Sequence, residues 1–414
     1  MYISREIENT IINVSKSFQA IAIYGPRQVG KSTSIGVIFG NAMKMVTLDD
    51  IDNLALAKNT PKLFLDTFGW PLIIDEIQKA PELMSEIKIR IDNQRLLWLK
   101  NNEKRQLMYV LTGSNRFELQ EGISESLAGR CGIINMNSFT TTEIDGNNFD
   151  VFSPKIEELF KREKSIKYKT VDEIFERIFI GGMPDVITGD SERTEYFKAY
   201  VDTYVNRDVK KLISSTNELR FINFMAIIAL RTGQAIDYAE ISNAAGINVD
   251  TCKRWLSILK SSGLIILIQP YMANVSKRII KSPKLYFMDT GLCSYLCKWP
   301  SASMLKDSAM SGAFFETYVV SEIVKSLINH NVDFESTIYY YRDTDKKEID
   351  LLYIEGNDIY PIEIKKSLAP TKPTKNFSVL EKYKMNIMPG LVIDNTDAIR
   401  PINDKAYYCP VSLI

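Results

Sequence analysis

Short runs of β-branched and aliphatic residues, each ending in glycine or polar residues, mark the first third of the chain. Ala20-Ile-Ala-Ile-Tyr24 enters Gly25, Pro71-Leu-Ile-Ile-Asp75 ends in acids, and Leu107-Met-Tyr-Val-Leu-Thr112 ends in Gly-Ser-Asn. Runs of this length and composition predict buried strands of a parallel sheet with helices between them. After about residue 140 the alternation stops. Residues 141–165 predict a loop and an exposed helix, and Val171 to about Lys211 predicts helices broken at Gly181-Gly182-Met183-Pro184. Tyr196, Tyr200 and Tyr204 recur every four residues, so they share one helix face, most simply a core stripe.

Further along, Phe221 to Leu230 and Asp237 to Ala245 predict two helices, the second closed by Gly246. Cys252 to Ser261 predicts a third, stopped by Gly263. A β-branched run, Leu264 to Gln269, follows, and Tyr271 to Lys281 can fold back as a hairpin. Helix, helix, turn, helix and wing is the plan of a winged helix-turn-helix. Near the C-terminus, Ser336 to Arg342, Lys347 to Ile354 and Tyr360 to Lys366 predict three strands. The expected organisation is α/β: a P-loop NTPase parallel sheet (1–140), a helical lid or linker (141–211), a winged-helix region (212–300) and a C-terminal α/β nuclease-like domain (301–414).

Composition changes this picture little. The 414 residues are 45% hydrophobic and 25% charged, with 51 basic and 51 acidic side chains, so any nucleic-acid partner needs a local patch. No apolar run is long enough to cross a membrane, and the N-terminus lacks a signal-peptide pattern, so a cytoplasmic protein is expected. Cys131, Cys252, Cys293, Cys297 and Cys409 lack metal-ligand spacing and read as free thiols. With one histidine, His330, hydrolytic chemistry falls to carboxylates, lysines and a metal.

Candidate chemistry begins at Gly25-Pro26-Arg27-Gln28-Val29-Gly30-Lys31-Ser32, followed by Thr33. This is a complete G-x-x-x-x-G-K-[ST] loop between a predicted strand and helix. Its N–H groups can cradle phosphates, Lys31 can reach the β- and γ-phosphates, and Ser32 can ligate Mg²⁺. ATP and Mg²⁺ are the expected cofactors. Asp75, at a strand end, would face the metal, and Glu76 would polarise an attacking water. Thr112, Ser114 or Asn115 would contact the γ-phosphate or that water. Arg130 and its rival Arg116 are candidates to neutralise transition-state charge, in the same subunit or across a homo-oligomer. A surface ion pair explains either arginine equally well.

In this order, the loop, the LIIDEIQ strand, the LTGSN segment and the LAGR stretch resemble the prokaryotic AAA-like ATPases of the P-loop superfamily. Later segments, Tyr204-Val-Asn-Arg-Asp-Val, Leu230-Arg-Thr-Gly-Gln, Pro283 to Leu292 and Phe314-Phe-Glu316, resemble the region of unknown function that often follows such ATPases. The resemblance implies an ATPase fold, Mg²⁺ and a C-terminal nuclease-like module.

Two further patterns bear on nucleic acid. From Lys253 to Lys284 lie seven basic residues (Lys253, Arg254, Lys260, Lys277, Arg278, Lys281, Lys284) and no acid, the footprint of phosphate contacts with DNA. Protein contact or domain coupling is the competing use of such a module. In the C-terminal strands, Glu363 and Lys365 share a face, and Asp350 on the preceding strand can meet them at one edge. Asp350 and Glu363 would hold Mg²⁺, Lys365 would steady a water, and Glu316 on a helix would offer a third carboxylate. The order Glu…Asp…Glu-x-Lys resembles the PD-(D/E)XK nuclease superfamily, although Glu348 and Ile349 stand where a proline often precedes the aspartate. An ordinary acid–lysine edge pairing is the alternative. The leading expectation is an ATP-driven, DNA-associated protein with a nuclease-like module. Its rivals are a nucleotide-dependent switch acting on a protein partner and, more remotely, a small-molecule kinase.

Overall fold

The computed structural model describes residues 2–114, 122–123, 125–147, 149–209, 218–272 and 282–414, apart from the side chains of residues 207 and 208. The chain forms two compact units, residues 2–138 with 261–263 and residues 139–260 with 264–414.

The first unit is built on a five-stranded sheet of β1 (Ala20–Tyr24), β2 (Lys44–Thr47), β3 (Leu72–Asp75), β4 (Tyr109–Gly113) and β5 (Cys131–Asn135). Every pairing is parallel and the spatial order is β2-β3-β4-β1-β5. All five residues of β1 and of β4 are buried, which is why β1 is an unbroken apolar run and β4 is apolar up to Thr112. Ala22, Ile74, Leu111, Leu83, Ile87 and Ile91 share one core with the helix Glu82–Asn101. Because β1 lies between β4 and β5 while the chain leaves it toward β2, its C-terminal end opens at the point where the strand order reverses.

In the second unit a helical stretch precedes two sheets. Tyr196, Tyr200 and Tyr204 are buried on the helix Arg193–Tyr204, so this stripe belongs to the core. Glycine is required at residue 181, where φ is +80° and a Cβ would meet Asp289 Oδ1 at 2.5 Å. Asp289 accepts from Gly182 N–H at 2.9 Å and caps the helix Thr290–Leu296, so the Gly-Gly break packs onto this turn.

Three helices, Glu218–Ala229, Tyr238–Ala245 and Val249–Ser261, accompany a small sheet of β6 (Gln234–Ala235), β7 (Ile265–Ile268) and β8 (Lys284–Phe287). Its order is β6-β8-β7, and both pairings are antiparallel. Gly246 closes the middle helix at φ +62°. The expected hairpin tip, with Lys277, Arg278 and Lys281, lies outside the described residues.

The C-terminal sheet is mixed. β9 (Ile338–Arg342), β10 (Glu348–Glu355) and β11 (Asp358–Ile364) are antiparallel neighbours; β13 (Gly390–Asp394) and β15 (Ala406–Pro410) continue it in parallel. β14 (Arg400–Asn403) closes that edge, and β12 (Asn386–Ile387) pairs with β11. The α/β class expected from the sequence is what the chain adopts. All five cysteines are free, four of them buried, and no described helix is long and apolar enough to cross a membrane.

Candidate functional site

In the first unit the phosphate loop turns from β1 into the helix Lys31–Phe39. Gly25 is obligatory there, because a Cβ would lie 1.9 Å from the Met136 carbonyl oxygen. Gly30 caps the helix at φ +90°, and Gln28 also takes a left-handed conformation at φ +59°. Val29 is buried, Arg27 is half-buried, and Ser32 and Thr33 are exposed on the first helical turn. Lys31 is buried and donates to the Gly25 and Pro26 carbonyl oxygens at 2.8 and 2.7 Å.

The acid strand meets the loop. Ser32 Oγ donates to Asp75 Oδ1 at 3.1 Å, so a residue of the loop and the end of β3 are joined across 43 positions. Thr112 Oγ1, from β4, also donates to Asp75 Oδ1 and accepts from the Glu76 N–H at 3.3 Å. Glu76 holds φ +57°, an uncommon conformation for a residue with a side chain, and one that clusters at functional positions. Its Oε2 accepts from Gln78 Nε2, which also lies 3.4 Å from Ser114 Oγ. Lys31, Ser32, Asp75, Glu76, Thr112 and Ser114 therefore gather at the C-terminal ends of the adjacent strands β1, β4 and β3. Asn115 and Arg116 lie outside the described residues.

Arg130 is elsewhere. It immediately precedes β5, whose Cys131 aligns with Ala20 at the start of β1, whereas the loop follows Tyr24 at the other end. Its guanidinium donates to both oxygens of Asp92, at 2.6 and 2.9 Å. That pairing holds the Asp92 carboxyl below its ordinary range. The structure thus does not bring Arg130 to the loop of its own chain, correcting the same-subunit role expected of it.

Two residues here escaped the sequence reading. Buried Arg5 donates to the carbonyl oxygens of Val29 at 2.9 Å and Asn137 at 2.7 Å, pinning the loop from behind. No local pattern announces it. Gln78, two positions beyond Glu76, was legible only as part of the run after the acids.

The second unit gathers another charged cluster. The antiparallel register of Leu351 with Ile362 puts Asp350 beside Glu363, and the β9–β10 pairing shifts between Ile349 and Leu352. A bulge of this kind bends a strand and re-aims a side chain. Asp350 Oδ2 accepts from the Ile364 N–H at 2.9 Å and from Lys365 Nζ at 3.2 Å, while Lys365 also reaches Glu363 Oε1 at 2.7 Å. Burial, and then the Asp350 charge, push the Glu363 carboxyl up to about 7. Burial pulls Lys365 down, but the carboxylates of Asp350 and Glu363 outweigh it and hold the ammonium above its usual value.

Glu316, on the helix Ser311–Asn329, joins this network differently from expectation. Its Oε1 accepts from Lys284 Nζ at 3.0 Å and from Tyr286 Oη at 2.6 Å. Burial, followed by Asp350, raises its carboxyl. Lys284 also reaches Glu348 at 2.6 Å and Asp350 at 3.8 Å, and its side chain is 4% exposed. Lys284 is therefore withdrawn from the basic face on which the sequence placed it. The alternation Lys284-Leu-Tyr286-Phe was the available signal, since it puts Lys284 and Tyr286 on one face of a strand. Lys253 and Arg254 stay exposed, Lys253 over the Tyr238 ring at 5.6 Å, and Lys260 pairs with Glu335 at 3.1 Å.

A divalent ion fits part of this cluster. Glu363 Oε2 is buried with no hydrogen-bond partner among the described residues, beside Asp350, and Mg²⁺ needs only one or two carboxylates if it keeps several waters. Glu316 does not complete a cage: no three acidic, histidine or cysteine side chains converge for a metal among the described residues. That corrects the expected three-carboxylate set.

Residues 17–145 match the family model described as an AAA domain. Residues 171–303 match a domain of unknown function (DUF8612), and residues 311–414 match another (DUF4143). Uncharacterized proteins of Mycobacterium tuberculosis and Mycobacterium bovis are each 25% identical over 356 residues, which is 85% of this chain and 71% of theirs. The solved Walker-type ATPase PABY2304 of Pyrococcus abyssi is similar at 14% identity and a TM-score of 0.42, over 71% of this chain and 96% of that one. The loop, the acid strand and the family match agree, and residues 17–145 constitute an AAA-like P-loop ATPase domain.

Proposed function

We propose that this protein is a Mg²⁺-dependent ATPase whose second unit binds DNA through a winged-helix module and cleaves it at Asp350, Glu363 and Lys365. The observation that carries the cleavage reading is Lys365 held between Asp350 and Glu363 beside a strand bulge, with a buried carboxylate oxygen unpaired among the described residues. In the ATPase unit, Lys31 would exchange its two carbonyl partners for phosphate oxygens, and Ser32 and Asp75 would hold the metal. Glu76 would accept the proton of the attacking water, oriented by Gln78.

In the second unit, Asp350 and Glu363 would hold Mg²⁺, which when bound supplies charge stabilisation and a more acidic water. Lys365 would orient that water toward the phosphodiester, and the exposed Lys253 and Arg254 would contact backbone phosphates. The helix order and the β6-β8-β7 sheet support the winged-helix reading. The domain division expected from the sequence remains part of this proposal, as does a cytoplasmic location.

Supercoiled and linear duplex DNA incubated with Mg²⁺ or Mn²⁺, with and without ATP, tests this beside Asp350→Asn. Cleavage by the parent that the variant loses is the expected result. Equal cleavage by both would remove Asp350 from the site. DNA binding without cleavage by either protein would favour the second reading, a nucleotide-dependent switch whose C-terminal sheet only binds. The engagement of Glu316 by Lys284 and Tyr286 is the observation that favours that alternative.

A further inference from the structure

We propose that Lys284 is a resident counter-cation that holds Asp350 and Glu316 in place of a divalent ion, so that metal loading is set by a residue of the three-stranded sheet. This rests on the reading of Asp350 and Glu363 as a divalent-cation site. Lys284 occupies the first position of β8, the central strand, where it aligns with Ala235 of β6 and Ile268 of β7. Its place is therefore fixed by the small sheet, although all three of its acidic partners come from the C-terminal segment.

Glu316 lies 3.0 Å from its Nζ, Glu348 2.6 Å and Asp350 3.8 Å, with the Tyr340 ring at 5.6 Å and Tyr286 donating to the same Glu316 oxygen. A lysine this deeply buried needs such partners, because an unpaired ammonium there would be costly to desolvate. The same proximity works against a second cation. A divalent ion on Asp350 would sit within a few ångströms of the ammonium, where like charges repel strongly in a medium of reduced dielectric.

Lys284 and the metal thus compete for one carboxylate, and competition is reciprocal. Whatever weakens the grip of β8 on Asp350 tightens metal binding, and metal binding loosens that grip by the same factor. A ligand that shifts the small sheet, DNA on the adjoining helices included, acquires a route to the carboxylate pair. Lys365 does not duplicate this function. It directly follows β11, bridges Asp350 and Glu363, and pairs with neither Glu316 nor Glu348 among the described residues.

Mn²⁺ titration of the full chain, read by calorimetry and by loss of the free-ion paramagnetic signal, tests the proposal without any cleavage assay. Asp350→Asn serves to subtract binding elsewhere. Lys284→Met should bind Mn²⁺ at the Asp350-dependent site about tenfold more tightly or better. Its melting temperature should fall in EDTA and recover more than the parent's when Mn²⁺ is added. Lys284→Gln keeps a hydrogen-bond donor without the charge and answers the same question should the methionine variant not fold. Lys284→Arg should retain the parent's affinity. Equal Mn²⁺ affinity in the parent, Lys284→Met and Lys284→Gln overturns the competition. An absence of Asp350-dependent binding in the parent and every variant overturns the metal reading itself, and the proposal with it.

Discussion

The two charged sites of this chain store their lysines in opposite ways. In the phosphate loop, Lys31 rests on two backbone carbonyl oxygens. In the C-terminal cluster, Lys284 and Lys365 rest on carboxylates. Carbonyl dipoles hold an ammonium less firmly than carboxylates do, and they are exchanged without leaving a buried charge behind. Lys31 is thus ready to transfer to an incoming phosphate, whereas either C-terminal lysine can leave only if another cation replaces it. One site is poised for its ligand and the other is internally compensated.

The sharpest way to break this comparison is at Lys31. Lys31→Ala should abolish ATP binding, read by calorimetry, while leaving the Asp350-dependent Mn²⁺ site unchanged. A variant that retained nucleotide affinity would show that the carbonyl-held lysine is not the phosphate contact. Glu76→Gln should come next in size. Nucleotide binding should persist while turnover falls by about 10²–10⁴-fold, the usual contribution of a general base. Turnover equal to that of the parent would exclude Glu76 from proton transfer.

How far these sites could be read in advance depended on what each element buries. β1 was legible because all five of its residues are buried, so its sequence is one apolar run. β5 was not, because Gly132 interrupts it. A Cβ there would lie 2.4 Å from Val14 and 2.9 Å from Phe18, so glycine is demanded by helix packing although it weakens a strand pattern. β2 was equally silent, since only Val46 of its four residues is buried. The same logic separates the sites. Ser32 and Asp75 each belong to a contiguous motif that local spacing reveals, and they meet at 3.1 Å. Arg5 and Lys284 act through partners on distant segments, which local spacing does not name. Arg130 misled for the complementary reason: a guanidinium in a plausible place in sequence is committed to Asp92 in space.

A smaller effect tests the compensated site through pH. The folded Glu363 carboxyl is raised from 4.5 to about 7, so the folded state binds its proton more tightly than the unfolded chain does. The associated stability is fully present below pH 4.5 and is lost as pH rises through about 7. The swing is at most roughly 3 kcal/mol. Denaturant unfolding in EDTA should therefore show the parent losing stability across this window, and Glu363→Gln should flatten the slope. A parallel pH dependence in both proteins would place the titrating group elsewhere.

The smallest predicted effect concerns Gln78, which distinguishes positioning from proton transfer in the poised site. Its Nε2 donates to Glu76 Oε2 and approaches Ser114 Oγ, while its Oε1 is buried without a hydrogen-bond partner among the described residues. The amide therefore orients the Glu76 carboxylate from a left-handed turn that already fixes its backbone. Gln78→Ala should lower kcat for ATP hydrolysis by about tenfold, less than loss of the base itself, with KM nearly unchanged. Gln78→Asn places the same amide one methylene short and should recover little of the rate if reach is what matters. A rise in KM with kcat intact would instead make Gln78 a ground-state binding residue, and Glu76 would then owe its orientation to its backbone and Thr112 alone.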